Sequence, residues 1–131
     1  MKILVVDDVD YIRKSVTKVL TDNRFDCDSC ANGKEAIEKL DQTKYDLIVT
    51  DLVMPEIDGF EFIDLIRNHQ NASIARTPIL AISGGSKTID SETALKSIQQ
   101  RVDGLLQKPF SKSDLIEAMT KIIGRSRRGL D

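Results

Sequence analysis

The apolar run Leu47–Val49 is the feature that most constrains how this 131-residue chain can fold. It contains no polar residue, whereas a strand with one face in water alternates apolar and polar side chains. Such a run is typical of a strand that is buried on both faces, as in a parallel sheet covered by helices. Thr50 and Asp51 follow it, so we expect Asp51 at the carboxyl end of a buried strand. Ligands bind at this edge of open α/β sheets.

A second apolar run, Ile3–Val6, ends on the acidic pair Asp7 and Asp8. If the two strands are parallel neighbours, three carboxylates meet at one edge of the sheet. Like charges at close range repel and raise each other's pKa values, so we expect a cation among them. A cluster of hard oxygen ligands suits Mg²⁺ better than zinc. The sequence therefore predicts a Mg²⁺ site made by Asp7, Asp8 and Asp51.

Strand and helix patterns alternate five times along the chain. This alternation predicts an α/β fold, in which right-handed crossovers place helices on both faces of a parallel sheet. For five strands we expect the flavodoxin-like (βα)5 arrangement, with strand order 2-1-3-4-5. We expect Asp10, Asn32 and Ser111 to cap helices, and Gly124 to end the last one. Residues 1–124 then form one domain, and 125–131 form a short basic tail.

Composition and charge exclude several classes of protein. A 40% share of hydrophobic residues and a net charge of −2 are ordinary for a globular domain and give no sign of a nucleic-acid partner. No apolar stretch approaches the roughly 20 residues that a membrane span needs. The chain begins directly with a strand pattern and shows no signal peptide, so we expect a cytoplasmic protein without a membrane partner.

The two cysteines, Cys27 and Cys30, have the spacing of some redox and zinc sites. They fall in a predicted strand, however, where positions three apart point to opposite faces of the sheet. A zinc site would also need further ligands, and His69 is the only histidine. We therefore interpret both cysteines as structural.

Further polar groups are expected at the same edge of the sheet. Ser83 and Gly84 follow the fourth strand, and Lys108 follows the fifth. Taken singly, such residues are usually turn formers or helix caps. Taken together with the acids, they provide what phosphoryl transfer to a carboxylate requires: a nucleophilic aspartate, a cation site and donors to the phosphoryl oxygens. No GxxxxGK[ST] loop is present, so nucleotide hydrolysis of the P-loop kind is not supported.

Four segments match one family in the same order: VVDD at 5–8, DLVMPEIDG at 51–59, ISGG at 82–85 and KPF at 108–110. With these segments the chain resembles the receiver domain of two-component response regulators, from Lys2 to Ile123. The resemblance implies a phosphorylation-activated signalling switch of the stand-alone type, not an enzyme beyond its own phosphorylation and dephosphorylation. It would signal by binding a downstream protein target or by passing the phosphoryl group along a relay.

The resemblance also implies a role for each acid. Asp51 would be the phosphoacceptor, loaded from a phosphohistidine on a sensor histidine kinase or a histidine phosphotransfer protein. Asp8 and Asp51 would ligate Mg²⁺ directly, together with the backbone carbonyl of Val53. Asp7 would act on the ion largely through water.

The remaining site residues receive their roles from the same resemblance. Ser83 would be the switch hydroxyl and Lys108 would pair with the phosphate, while the amide of Gly84 could donate to the same phosphoryl group. The Lys108–Pro109 peptide bond would be cis, a form that is tolerated almost only before proline. An aromatic residue often stands three positions before the lysine in this family. Leu105 replaces it here, so an aromatic rotamer cannot report the switch.

Two other functions fit parts of the pattern. A Mg²⁺-dependent phosphohydrolase with an aspartyl-phosphate intermediate would need an acid–base residue beside the nucleophile, whereas residue 53 is valine and no cap insertion is present. A receiver-like interaction module that is never phosphorylated would not need the complete set of site residues. The phosphorylation switch is therefore the preferred hypothesis.

Overall fold

Five parallel strands form the centre of the molecule. The computed structural model describes residues 1–52, 59–84 and 92–129, without the side chains of 92–95 and 126–129. The strands are β1 (Lys2–Val6), β2 (Asp26–Cys30), β3 (Leu47–Asp51), β4 (Ile79–Gly84) and β5 (Gly104–Lys108). They form one sheet in the order β2-β1-β3-β4-β5, which confirms the predicted flavodoxin-like α/β fold.

The helices of the described residues lie between and after these strands. They are α1 (Asp10–Asp22), α2 (Gly33–Gln42), α3 (Gly59–Arg67), α4 (Ala72–Ala75), α5 (Glu92–Gln99) and α6 (Lys112–Gly129). The short helix α4 was not predicted, because four residues cannot show a helical period. The predicted end of the last helix at Gly124 was wrong, since an interior glycine costs a helix only about 1 kcal/mol relative to alanine. Among the described residues, every helix is too short or too polar to span a lipid bilayer.

Each buried strand sends alternate side chains into two apolar clusters, one on each face of the sheet. On one face, Ile3 and Val5 of β1 pack with residues of α1 and α6. On the other face, Leu4 and Val6 pack with residues of α2, α3, α4 and α5. Because both faces are covered, β1 and β3 are buried along almost their whole length, as their continuous apolar runs predict.

The two cysteines follow the same alternation. Cys27 packs at the cluster under α1 and α6, whereas Cys30 is buried in the cluster on the opposite face. Both thiols are free. Burial raises the pKa of Cys27 to about 11 and that of Cys30 to about 12, so neither thiol is an activated nucleophile. The structural interpretation of this pair is confirmed.

The predicted helix caps have mixed outcomes. The side chain of Asn32 accepts a hydrogen bond from the amide of Glu35, and Ser111 and Asp114 form a reciprocal capping box. The prediction for Asp10 was wrong. The N-cap of α1 is Val9, and Asp10 is the first residue of the helix, where its carboxylate pairs with Arg13.

Arg67 ties together the loops at the amino-terminal edge of the sheet. Its guanidinium donates to the backbone carbonyls of Ala75, Thr77 and Arg101 at 2.8–2.9 Å. It also donates to a carboxylate oxygen of Asp103 at 3.2 Å. Burial lowers the pKa of Arg67, and the neighbouring carboxylate of Asp103 opposes this shift. This arginine therefore joins α3 to the segments that precede β4 and β5.

Candidate functional site

The strand alternation brings three charged side chains to one face of the carboxyl edge. Asp7 follows β1, Asp51 ends β3 and Lys108 ends β5. In register, Val6 pairs with Thr50, so Asp7 lies beside Asp51. All three residues continue the alternation toward the face that α1 and α6 cover, because Val5, Val49 and Leu106 pack on that side. The predicted convergence at this edge is confirmed.

Three carboxylates form a cluster at this edge. One oxygen each from Asp7, Asp8 and Asp51 lies within 4.8 Å of the other two. Asp7 and Asp51 are only 3% and 6% exposed, whereas Asp8 is half-buried. Since the donors are all carboxylate oxygens, this set suits a hard divalent cation. Val53, whose carbonyl was predicted to join them, lies outside the described residues.

Lys108 reaches the cluster from two strands away. Its Nζ lies 3.3 Å from Oδ2 of Asp51, although the two residues are 57 positions apart in the sequence. The side chain passes over Gly84, where an added Cβ would come within 2.5 Å of the Lys108 Cβ. The glycine therefore leaves the space that the lysine occupies. The predicted cis peptide bond between Lys108 and Pro109 is confirmed.

Ser83 and Leu105 lie on β4 and β5 near this edge. Ser83 is 9% exposed and pairs in register with Gln107, one position before the pair formed by Gly84 and Lys108. Leu105 packs against the cluster on the opposite face of the sheet, under α2 to α5. Leu105 thus occupies the position for which the sequence resemblance implies an aromatic residue.

One contact at the site was not predicted from the sequence. The guanidinium of Arg13 donates from Nη1 to the backbone carbonyl of Asp7 at 2.8 Å and pairs through Nη2 with Asp10. The main-chain amide of Val9 donates to Oδ1 of Asp7 at 2.9 Å. The turn that carries the acidic pair is therefore held by hydrogen bonds on both sides.

The pKa of Asp7 is raised above its usual value. Burial is the largest cause, and the charges of Asp51 and Asp8 act in the same direction. The hydrogen bond from Val9 and the charge of Lys108 oppose them. Because the folded protein binds this proton more tightly than the unfolded chain, an ionised Asp7 destabilises the fold. This destabilisation is absent below the unfolded pKa, near 3.9, and complete above the folded pKa.

We expect Asp7→Asn to stabilise the protein at pH 7 in the presence of a chelator. Asparagine keeps an acceptor for the Val9 amide but removes one charge from the cluster, which is worth about 1 kcal/mol for two unit charges at 4 Å in water. Urea unfolding at a series of pH values measures the effect. The gain should shrink toward zero as the pH falls below about 3.9, because Asp7 then becomes protonated in both the folded and the unfolded state.

The matched control for this change is Asp8→Asn, because Asp8 is half-buried and better solvated. The gain in unfolding free energy for Asp8→Asn should be smaller than that for Asp7→Asn. A gain for Asp7→Asn that stays constant from neutral pH down to the acid range would show that charge relief is not the cause.

The family model and the curated relatives that match this chain point to the same family. The family model "Response regulator receiver domain" matches residues 3–120. The regulatory protein VanRB of Enterococcus faecalis is 29% identical over 126 residues, which cover 96% of this chain and 54% of that protein. The probable transcriptional regulator ycf29 of Porphyra purpurea is 28% identical over 94% of this chain and 56% of its own length. The chain thus spans about half the length of these curated relatives.

Solved structures show the same fold. The chemotaxis response regulator CheY4 of Vibrio cholerae superposes with a TM-score of 0.78 at 30% identity, over 92% of this chain and 97% of that chain. The receiver domain of the sensor histidine kinase PA1611 from Pseudomonas aeruginosa, solved with a magnesium ion coordinated in its active site cleft, gives 0.79 at 25% identity over 94% and 97%. With its five-stranded parallel sheet and the match over residues 3–120, this chain belongs to the response regulator receiver domain family.

Proposed function

We propose that this chain is a phosphorylation-dependent signalling switch in which Asp51 accepts the phosphoryl group. The observation that carries the proposal is the ion pair of 3.3 Å between Lys108 and Asp51 beside two further carboxylates. The Asp51 carboxylate thus has an ammonium group within 3.3 Å and two further carboxylates within 4.8 Å. This is the arrangement that a nucleophilic aspartate needs for phosphoryl transfer.

The acid cluster is the proposed Mg²⁺ site. Asp8 and Asp51 would hold the ion directly, together with the carbonyl of Val53, and Asp7 would act on it largely through water. The exclusive use of oxygen donors supports Mg²⁺, as does the magnesium ion in the related Pseudomonas aeruginosa receiver domain. When bound, Mg²⁺ neutralises the carboxylates and the negative charge on the phosphoryl oxygens.

The transfer itself is a displacement at phosphorus. A carboxylate oxygen of Asp51 forms the new P–O bond as the P–N bond to the donor imidazole breaks, and the imidazole keeps the electron pair. Lys108 neutralises one phosphoryl oxygen. The hydroxyl of Ser83 and the amide of Gly84 donate hydrogen bonds to the group. Catalysis is therefore mostly positioning and charge compensation, which the chain performs only on itself.

The phosphoryl group acts by shifting an equilibrium between two conformations. It can do so only if it interacts differently with the two, for example through Ser83 and Lys108. The proposed donor is the phosphohistidine of a sensor histidine kinase or phosphotransfer protein, and the proposed receiver of the signal is another protein in the cytoplasm. Neither a nucleic acid nor a membrane is a proposed partner. Residues 1–124 are the proposed signalling domain and 125–131 the short basic segment, although helix α6 continues across this boundary to Gly129.

Incubation with acetyl phosphate and Mg²⁺, followed by intact-protein mass spectrometry, tests the proposal. We expect the addition of one phosphoryl group in the presence of Mg²⁺ and none in the presence of a chelator. Asp51→Asn should not be modified, whereas Asp41→Asn, a change far from the site, should be modified like the wild type.

Other outcomes would point to the competing functions. Continuous release of phosphate from small phosphoesters would indicate the phosphohydrolase. The absence of any modification, with no binding of beryllofluoride, would indicate an interaction module that is not phosphorylated.

A further inference from the structure

We propose that Arg13 is a positioning residue for the acid cluster, holding the turn from Asp7 to Asp8 in the conformation that binds a cation. The inference rests on the proposed function, because it assumes that this cluster binds Mg²⁺. It assigns a task to a residue that is outside the cluster and contributes no ligand atom to it.

Most of the Arg13 side chain is shielded from solvent. Its side chain is 16% exposed, compared with 73% for its partner Asp10. One arm of the guanidinium donates to the Asp7 carbonyl at 2.8 Å, and the other pairs with Asp10. The planar fork thus joins the first turn of α1 to the last residue before the Asp8 ligand.

The carbonyl that Arg13 binds controls where the Asp8 side chain points. The Asp7 carbonyl and the Asp8 amide belong to one rigid peptide plane, so a hydrogen bond to the carbonyl sets the orientation of that plane. Asp7 is held at two further points: its amide donates to the Cys30 carbonyl at 3.2 Å, and its Oδ1 accepts from the Val9 amide at 2.9 Å. Arg13 supplies the third hydrogen bond that fixes the position of Asp7.

The charge of Arg13 and its hydrogen bonds predict opposite effects on Mg²⁺ binding when the guanidinium is removed. A positive group near a cation site repels the cation, so a purely electrostatic role means that removal of the guanidinium strengthens Mg²⁺ binding. A positioning role means that removal weakens binding, because the carboxylates lose their preset arrangement. The sign of the change therefore separates the two roles, and the pairing of Arg13 with Asp10 reduces the repulsion.

Titration of the apo protein with Mg²⁺ alone, followed by NMR or calorimetry, tests the inference. We expect Arg13→Gln to weaken Mg²⁺ binding about tenfold, the lower end of the loss seen when groups that orient metal ligands are removed. Arg13→Lys keeps the charge and the aliphatic stem but lacks the fork, so it should lose nearly as much. It also serves as the second variant in case Arg13→Gln folds poorly.

Arg67→Gln is the matched control, because Arg67 also donates to main-chain carbonyls but at the opposite edge of the sheet. It should lower stability without changing the Mg²⁺ dissociation constant. Hydrogen exchange gives a readout without metal: the Val9 amide should exchange faster in Arg13→Gln and stay protected in Arg67→Gln.

Three results would overturn the inference. If Arg13→Gln binds Mg²⁺ as tightly as the wild type or more tightly, Arg13 does not position the cluster. If Arg67→Gln weakens binding equally, the effect is only general stability. A wild-type protein that binds no Mg²⁺ would overturn the proposed function and the inference with it, whereas normal wild-type binding with an unchanged Arg13→Gln overturns the inference alone.

Discussion

Lys108→Met is expected to slow phosphorylation by acetyl phosphate about 100-fold, within the range for removing one preorganised donor to a developing oxyanion. Methionine preserves the unbranched stem that passes over Gly84 but removes the ammonium group 3.3 Å from Asp51. In this variant the phosphoryl group still approaches the three carboxylates. It loses the ammonium group of Lys108, which is the one cation that the described residues place beside Asp51.

The same substitution should not weaken Mg²⁺ binding. Lys108 is a positive charge beside three carboxylates, so its removal leaves the cluster at least as attractive to a second cation. Measurement of both the phosphorylation rate and the Mg²⁺ dissociation constant shows whether Lys108→Met lowers the rate without weakening Mg²⁺ binding. Lys112→Met, which alters an exposed lysine four positions later, is the control and should change neither quantity.

A phosphorylation rate for Lys108→Met close to that of the wild type would contradict the assigned role. A parallel loss of Mg²⁺ binding and phosphorylation would instead show that the substitution disrupts the edge of the sheet as a whole.

Arg67→Met is expected to cost about 2 kcal/mol of unfolding free energy, because it leaves two half-buried carbonyl acceptors without this donor and each such loss costs roughly 1–3 kcal/mol. Three of its acceptors are main-chain carbonyls, and the fourth belongs to Asp103. The same oxygen of Asp103 accepts from the Ile79 amide at 2.8 Å, so the loss reaches the start of β4.

Urea unfolding at neutral pH measures this loss. The slope of the unfolding free energy against urea concentration should stay unchanged, which indicates an intact folded state. Arg76→Met is the control, because the Arg76 side chain makes no hydrogen bond or ion pair to any residue that the structure describes. Its cost should be within about 0.5 kcal/mol, as is usual for surface substitutions. Equal losses for the two variants would show that the Arg67 contacts contribute little.

The sheet and the charged residues of its carboxyl edge could be predicted from the sequence. The runs Ile3–Val6 and Leu47–Val49 are buried on both faces, and parallel strands deliver the residues that follow them to one edge. For this reason Asp7, Asp51 and Lys108 were predicted to meet although they are distant in the chain.

The contacts of Arg13 and Arg67 could not be predicted in this way. Both arginines donate to backbone carbonyls, which every residue has, so no residue type in the sequence indicates the partner. The cap assigned to Asp10 was wrong for a related reason. Its carboxylate pairs with Arg13, and the residue that caps α1 is Val9, which has no polar side chain. Local patterns predict elements well, but they do not rank competing polar contacts.

The most direct measurement of the central claim is the identity of the modified residue. After reaction with acetyl phosphate and Mg²⁺, reduction of the acyl phosphate with borohydride followed by peptide mass spectrometry marks the acceptor carboxyl. We predict that Asp51 alone is converted and that the mark is absent when Mg²⁺ is chelated. A mark on Asp7, Asp8 or a residue outside the cluster, or modification that is independent of Mg²⁺, would contradict the account.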